Sequence, residues 1–231
     1  MKTPTSTKGN IMNDKYIVKK AAAPVALDAP WESAQWQNAN EVHITTLYGD
    51  KEPDFIPEVR IRMLYDDQRV CGLFQVKDQY VVARAKANQE QVCQDSCVEF
   101  FVKPLNAERY FNFEINCGGT ILLYHIDDIH AKRFDLVPEE DLAKIERFHT
   151  LPQIIEEEIT EPVTWYLGFA VPIEFFQRYS GIDPKLSGQA WRANFTKCAD
   201  KCSHPCWLTW QKLVPPGGYH VPDQFGTIIF E

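Results

Sequence analysis

A strict alternation of apolar and polar residues is the feature that most constrains the fold of this chain. Between residues 58 and 65 the positions of one parity are apolar, namely Val59, Ile61, Met63 and Tyr65. A period of two places such side chains on one face of a half-buried β-strand. The turn at residues 66–68 and the apolar run over residues 70–77 then predict a β-hairpin.

The same alternation recurs along the rest of the chain. A three-stranded meander is predicted over residues 97–103, 110–117 and 120–126, and further strands are predicted over residues 153–160, 163–171, 191–196, 207–213 and 226–230. Residues 127–150 are mixed and charged. Short helices are predicted near residues 31–36, 138–145 and 172–179. We therefore expect an all-β fold, an antiparallel β-sandwich of immunoglobulin or jelly-roll type with a few short helices.

The first 14 residues are polar and have no period, which predicts a flexible N-terminal tail before a single domain over residues 15–231. No apolar stretch of roughly 7–15 residues follows the basic start. The chain as given is therefore expected to be cytoplasmic, or secreted if its N-terminus was trimmed. The seven cysteines are an odd number, which favours free thiols in a reducing compartment.

A net charge of −8 argues against two classes of partner. Binding to phosphate backbones needs clustered Lys and Arg, whereas this chain has short basic pairs such as Lys19-Lys20. We therefore expect no nucleic-acid partner and no binding to an anionic membrane, and no apolar run reaches the roughly 18 residues of a membrane helix. Neutral ligands remain compatible with this charge. The sequence carries no signal for an oligomeric state.

Three segments carry a resemblance to a known family. They are residues 27–34, the two strands over residues 94–101 and 110–116, and residues 219–226. In order, they resemble the opening "L-D-G-x-x-x-x-W" segment with a shortened spacing, the "D-S-V-E-I-F" strand with its partner ending in "V-N", and the closing "W-R-x-P-x-x-F-G" segment of family 9 carbohydrate-binding modules. The resemblance extends from about residue 24 to the C-terminus, and it is nearest to stand-alone members.

The resemblance implies a β-sandwich of two antiparallel sheets that binds a saccharide or polyol without catalysis and supports carbohydrate catabolism. Xylanase-linked members hold a sugar between two Trp rings, a Glu and an Arg bind its hydroxyls, and some members hold structural calcium. On this sequence the family Glu matches Glu99, and the closing Trp is replaced by Tyr219. The family Arg position holds Glu114, and the other clamp Trp falls near Val92-Cys93.

Polar positions on the predicted strands complete the candidate site. Arg192 and Asn194 share the parity of one strand and are expected to lie on the same sheet face as the acidic pair. Trp207 and Trp210 have opposite parities, so one of them faces outward, and Trp210 is assigned to the site. The predicted ligand-binding residues are Glu99, Asn112, Glu114, Arg192, Asn194, Trp210 and Tyr219.

An enzymatic alternative remains open at this point. Glu99 and Glu114 lie on neighbouring predicted strands, and two facing carboxylates are the machinery of a hydrolase acting on O-glycosyl bonds. The same pair could share a calcium ion. The ordinary alternative is a solvated sheet face whose charges pair across strands, and it leads us to assign no catalytic residue.

A second alternative is a protein stabilised by a metal. Cys198, Cys202, His204 and Cys206 form the most metal-like cluster of the sequence. Structural zinc usually takes thiols in knuckles with a two-residue spacing, and Pro205 prevents a helix that would align these side chains. Unpaired thiols in a loop are therefore the preferred interpretation, zinc is disfavoured, and no metal ligand is assigned.

Overall fold

The computed structural model describes residues 14–49 and 52–231. The strands, in chain order, are β1 (Lys15–Lys20), β2 (Glu41–Ile44), β3 (Thr46–Leu47), β4 (Glu58–Tyr65), β5 (Arg69–Asp78), β6 (Val81–Ala83), β7 (Cys97–Lys103), β8 (Tyr110–Asn116), β9 (Ile121–Asp128), β10 (Arg133–Leu136), β11 (Glu146–His149), β12 (Ile155–Ile159), β13 (Val163–Pro172), β14 (Ala190–Cys198), β15 (Leu208–Thr209) and β16 (Gly226–Phe230). The helices are α1 (Ala34–Gln37), α2 (Glu139–Leu142) and α3 (Ile173–Ser180), and 3-10 turns cover Val92–Gln94 and Pro222–Gln224. The predicted tail over residues 1–14 lies, apart from Asp14, outside the described residues.

Two sheets are built from these strands. The first runs in the order β10-β9-β8-β7-β14-β16-β1, and the second runs in the order β1-β4-β5-β13-β11 with β2 beside β4. Strand β15 pairs with both β14 and β3, while β6 and β12 form a separate ribbon. The predicted antiparallel β-sandwich with a few short helices is confirmed, and each predicted helix overlaps an observed one.

Strand β1 is the exception to the antiparallel pattern. Its first part runs parallel to β16, with Tyr16 beside Ile228, and its end runs parallel to β4, with Lys20 beside Tyr65. One strand thereby contributes backbone hydrogen bonds to both sheets. The sandwich is joined along that edge.

The apolar parity of both sheets packs into an aromatic core. The ring of Phe100 on β7 stacks at 5.5 Å on Phe195 of its own sheet and at 5.5 Å on Phe169 of the opposite sheet. A Cβ atom at Gly72 would approach the Phe169 ring to 2.4 Å, so glycine is required for this packing. Because the apolar side chains of β7, β8 and β14 point into the core, the alternating polar side chains of these strands point outward.

Local differences from the sequence prediction have physical causes. The strand expected over residues 207–213 is limited to Leu208–Thr209, because the Gln211 N–H donates to the Asn194 side chain instead of a neighbouring strand. Strands β10 and β11 lie within the mixed region 127–150, whose charged residues are exposed on edge strands. Within the described residues, no helix has the length and apolarity needed to cross a membrane.

Candidate functional site

The outward face of β7, β8 and β14 carries a row of polar residues. Glu99 lies directly opposite Glu114 on β8 and Thr196 on β14. Two residues further along β7, Phe101 lies between Asn112 and Asn194. Arg192 lies opposite Lys103 at the end of the same row. The five strand-borne residues of the predicted site are therefore brought onto one sheet face.

A cover segment, residues 214–225, lies across part of this face. The Phe101 ring contacts Tyr219 at 6.1 Å and Phe225 at 5.8 Å between centroids, both edge-on. Arg192 donates to the Phe225 carbonyl at 2.9 Å and to the Asp223 carbonyl at 3.3 Å. The face is thus divided into a covered half and an open half. The covered half holds Asn112, Asn194 and Arg192, and the open half holds Glu99 and Glu114.

The amides of the covered half bind their protein neighbours. The Asn194 Oδ1 atom accepts hydrogen bonds from the backbone N–H groups of Phe195 and Gln211, each at 3.0 Å. Asn112 accepts from the Tyr124 N–H at 2.9 Å and donates from Nδ2 to Glu114 Oε1 at 2.5 Å. Both Asn side chains are fully buried, although Asn194 Nδ2 has no partner among the described residues. Their polar atoms hold β9, the backbone at Gln211 and the Glu114 side chain in place.

The two tryptophans of the 207–210 segment point in opposite directions. The Trp210 ring packs at 5.3 Å from Phe195 in the core, where a Cβ atom at Gly226 would come within 2.8 Å of it. Trp207 is 36% exposed, and its Nε1 donates to Asp200 Oδ1 at 2.8 Å. Of the two residues that parity left open, Trp207 is the one that reaches the open half of the face.

A cavity of about 400 Å³ lies over the open half. Its floor is formed by the side chains of β7, β8 and β14, namely Glu99, Glu114 and Cys198. Its walls are largely aromatic and include Tyr48, Tyr124, Phe134, Trp207 and Tyr219. This volume and this mixture of apolar walls with a few convergent polar groups are typical of small-molecule sites. Of the seven predicted ligand-binding residues, Glu99, Glu114 and Tyr219 line the cavity, and the other four do not.

The two floor carboxyls are strongly perturbed by burial. Burial raises the pKa of Glu99 to about 7, against the hydrogen bonds that its carboxylate accepts from the Thr196 hydroxyl and, at 3.2 Å, from the Cys198 thiol. Burial, followed by the charge of Glu99, raises the pKa of Glu114 well above its usual value. Glu114 Oε2 is buried at the cavity floor and has no hydrogen-bond partner among the described residues.

The rest of the lining adds no positive charge. Burial lowers the pKa of His220 to about 4, so its ring, 3.0 Å from the Tyr110 hydroxyl, is neutral near pH 7. Among the described residues that line the cavity, none is Lys or Arg. The third carboxylate of the lining belongs to Asp200, at the exposed rim. The cavity therefore combines acidic groups with aromatic surfaces.

Motif residues of β7 and β8 position the acidic pair. Asp95 accepts hydrogen bonds from the Ala85 N–H at 3.0 Å and from Asn116 Nδ2 at 2.8 Å. Asn116 Oδ1 in turn accepts from the N–H groups of Gly118 and Thr120, which fixes the turn between β8 and β9. These buried polar contacts set the register in which Glu99 faces Glu114.

The structure brings together a set of potential metal ligands other than the 198–206 cluster, for which zinc was disfavoured. All seven cysteines are thiols in the structure. Within the described residues, the ligand atoms of Cys97, Glu99 and Cys198 lie within 4.8 Å of one another, a set with the soft donors that zinc accepts and calcium does not. The side chains of the 198–206 alternative point to separate partners: Cys202 donates to Ala199 O, His204 stacks at 3.7 Å on Tyr80, and Cys206 lies in the core.

Several aromatic lining residues were not among the predicted ones, including Tyr124, Trp207 and Phe134. Tyr124 lies opposite Asn112 on β9, so the parity of a predicted strand was enough to place it on this face. Trp207 was one of two tryptophans, and strand parity could not decide which of the two faces outward. Phe134 lies on β10, 4.7 Å from the Tyr124 ring, in a region where the sequence shows no regular period. No sequence signal pointed to Phe134.

Comparisons with known proteins identify a family and several similar structures. The model of carbohydrate-binding family 9 matches residues 29–230. A candidate carbohydrate-binding protein from Bacteroides uniformis ATCC 8492 is similar in structure, with a TM-score of 0.83 and 28% identity over 94% of this chain and 99% of that chain. No curated relative matches the sequence.

Two further solved structures share the fold. Both are family 9 carbohydrate-binding modules from Caldicellulosiruptor kristjanssonii, one in complex with cellotriose and one in complex with glucose. The first has a TM-score of 0.62 and covers 94% of this chain and 93% of that chain. The second has a TM-score of 0.61 and covers 94% and 95%. Each is 12% identical to this chain, which shows a common fold.

Proposed function

The chain belongs to carbohydrate-binding family 9, and from that premise we propose that it binds a saccharide in the cavity over the open half of the sheet face. The observation that carries this proposal is a cavity of about 400 Å³ that has aromatic walls and a floor of buried carboxyls. Sugar C–H groups stack on aromatic faces, and carboxyl oxygens accept hydrogen bonds from sugar hydroxyls.

Trp207 is the aromatic group best suited to stacking. It is the one tryptophan among the described residues that line the cavity, it is 36% exposed, and its hydrogen bond to Asp200 fixes the orientation of its ring. Tyr219, in contrast, is a buried wall residue, and its hydroxyl donates to the Lys197 carbonyl at 3.1 Å. The two complexes with cellotriose and glucose support a saccharide as the class of ligand.

We infer that the protein binds saccharides without cleaving them. The match of a carbohydrate-binding family model to residues 29–230 supports this inference, and the Glu99 carboxylate already accepts hydrogen bonds from Thr196 and Cys198. The one observation that favours a hydrolase is the raised pKa of Glu114, because a general acid must hold a proton near neutral pH. Release of nitrophenol from a panel of chromogenic glycosides, abolished by Glu114→Gln, would favour the hydrolase over the binding protein.

The proposed binding site is tested with Trp207→Ala. Loss of one stacking surface should weaken the affinity for a bound saccharide about tenfold or more, equivalent to about 1–2 kcal/mol. Because the side chain is partly exposed, the melting temperature should change by no more than a few degrees. The measurement is isothermal titration of sugars first identified on a glycan array.

Leu105→Ala is the matched control. Leu105 is 59% exposed in the connection between β7 and β8 and does not line the cavity. It should change neither affinity nor stability. Equal affinities for the wild type and Trp207→Ala would place the saccharide elsewhere on the molecule.

A further inference from the structure

The charges that line the cavity are all of one sign, and this bears on which saccharide it selects. Glu99 and Glu114 form its floor, and Asp200 lies at its rim. None of the described lining residues is Lys or Arg. Ligands with carboxylate, sulfate or phosphate groups would therefore be repelled, and a ligand that carries positive charge would be attracted.

Glu114 Oε2 supplies an independent sign of a missing ligand group. Glu114 is 6% exposed, its Oε1 accepts from Asn112 Nδ2, and its Oε2 has no partner in the part of the chain that the structure describes. A buried carboxyl oxygen without a donor costs free energy, and such atoms are usually satisfied by a ligand or by water. The unpartnered atom lies at the floor of the cavity, where a ligand would meet it.

A charged donor suits this position better than a hydroxyl. Glu99 and Glu114 are directly opposite on neighbouring strands, a position in which like charges destabilise each other. Both carboxyls are buried, so little water screens this repulsion. An ammonium group between the two carboxylates would offset it, since it supplies both a positive charge and the missing hydrogen-bond donor.

The walls favour the same chemistry. Tyr124 and Phe134 lie 4.7 Å apart at an interplanar angle of 61°, and Trp207 closes another side of the cavity. Ring faces attract organic ammonium groups, most strongly where water is excluded. Calcium is a poorer match for this space, because it takes six to eight oxygen ligands and the floor offers two carboxyls.

We propose that the cavity selects a saccharide with a free, protonated amine, that is, an amino sugar whose ammonium group is held at Glu114 and Glu99. This inference rests on the proposed saccharide site and narrows its ligand class. The amine would lie on the carboxyl floor, and the sugar ring would lie against Trp207. N-acetylation of the amine would remove both its charge and its fit to the floor.

The experiment compares sugars that differ in one group. Glucosamine, galactosamine and mannosamine are each titrated calorimetrically against their neutral parents and their N-acetylated counterparts, with EDTA present throughout. At least one amino sugar should bind ten times or more tightly than its neutral parent and its N-acetylated form. In Glu114→Gln, which keeps the size of the side chain, that ratio should fall below about three.

Glu174→Gln, an exposed substitution on α3, is the matched control and should keep the full ratio. Equal binding of amino and neutral sugars by the wild-type protein would overturn this inference and leave the proposed function intact. Amino-sugar binding that appears only after calcium replaces EDTA would overturn it too. If no sugar of any class binds, the proposed function itself fails, and this inference fails with it.

Discussion

The covered and open halves of the β7, β8 and β14 face are built from the same strands, yet they differ in what lies above them. In the covered half, Asn194 accepts a hydrogen bond from the backbone N–H of Gln211, and Arg192 donates to a backbone carbonyl of the cover segment. In the open half, Glu114 keeps one oxygen without a partner at the floor of a cavity. Residues of the same strand parity therefore serve the fold in one half and remain available to a ligand in the other.

The comparison shows that a shared sheet face does not make a shared site. Phe101 lies at the boundary, because its ring supports Tyr219 and Phe225 of the cover segment and also lines the cavity. Substitutions on the two sides of Phe101 should therefore affect different properties. We expect changes in stability on the covered side and changes in affinity on the open side.

Asn194→Ala should have the largest effect on stability. The substitution removes the acceptor of two buried backbone N–H groups, those of Phe195 and Gln211, and leaves a small cavity. The free energy of unfolding should fall by about 2–4 kcal/mol, as measured by urea denaturation. Saccharide affinity of the folded variant should remain within about twofold of wild type.

Asn38→Ala, at an exposed amide after α1, provides the comparison and should change stability by less than about 0.5 kcal/mol. If Asn194→Ala were stable but bound saccharide weakly, the covered half would be a ligand surface and the division of the face would be incorrect.

A pH titration of stability tests the open half. Burial raises the pKa of Glu99 from 4.5 to about 7, so the folded state binds more protons than the unfolded state between these values. Stability from this group is therefore full below about pH 4.5 and is lost as the pH rises through about 7. The loss is at most about 3.5 kcal/mol, since one pKa unit corresponds to about 1.4 kcal/mol.

The check is the difference in free energy of unfolding between wild type and Glu99→Gln, measured from pH 4.5 to pH 8. Gln cannot titrate, so the difference should move in favour of the variant as the pH rises. A difference that stays constant over this range would show that Glu99 is not perturbed by its burial.

Arg192→Ala should have the smallest effect. Arg192 is exposed, and its guanidinium bonds to two carbonyls of the cover segment, so its loss should cost about 0.5–1 kcal/mol of unfolding free energy. Saccharide affinity should be unchanged in the same calorimetric titration. Arg192→Lys serves as the control that keeps the charge, and it should recover part of the lost stability. A tenfold loss of affinity in Arg192→Ala would instead support direct contact with the ligand.

Strand periodicity predicted the sheet face but not its division. Glu99, Asn112, Glu114 and Asn194 were placed on one face because a period of two fixes which way a side chain points. Which of them a ligand could reach depends on where residues 214–225 fold back, and that segment is held by tertiary contacts such as the packing of Phe225 on Phe101. Local sequence patterns do not encode contacts over such a separation.

The aromatic walls of the cavity could likewise be predicted only in part, because tertiary contacts place some of their residues. Tyr124 follows from its register beside Asn112. Trp207 and Trp210 could not be told apart, because strand β15 ends at Thr209 and the backbone then follows the Asn194 side chain. Phe134 reaches the cavity only through the pairing of β10 with β9, in a region without periodicity.

The parallel pairing of β1 with β16 has a consequence for the order of folding. Tyr16 and Ile228 are neighbours in space but are separated by almost the whole chain. On the ribosome, β1 and β4 are made well before β16, the strand that joins β1 to β14. The floor strands β7, β8 and β9 can pair with each other beforehand, but β14 gains β16 as its neighbour only after all of these strands have been made. Closure of the sandwich edge should therefore be a late step of high contact order, during which the edges of β1 and β14 stay open to incorrect partners.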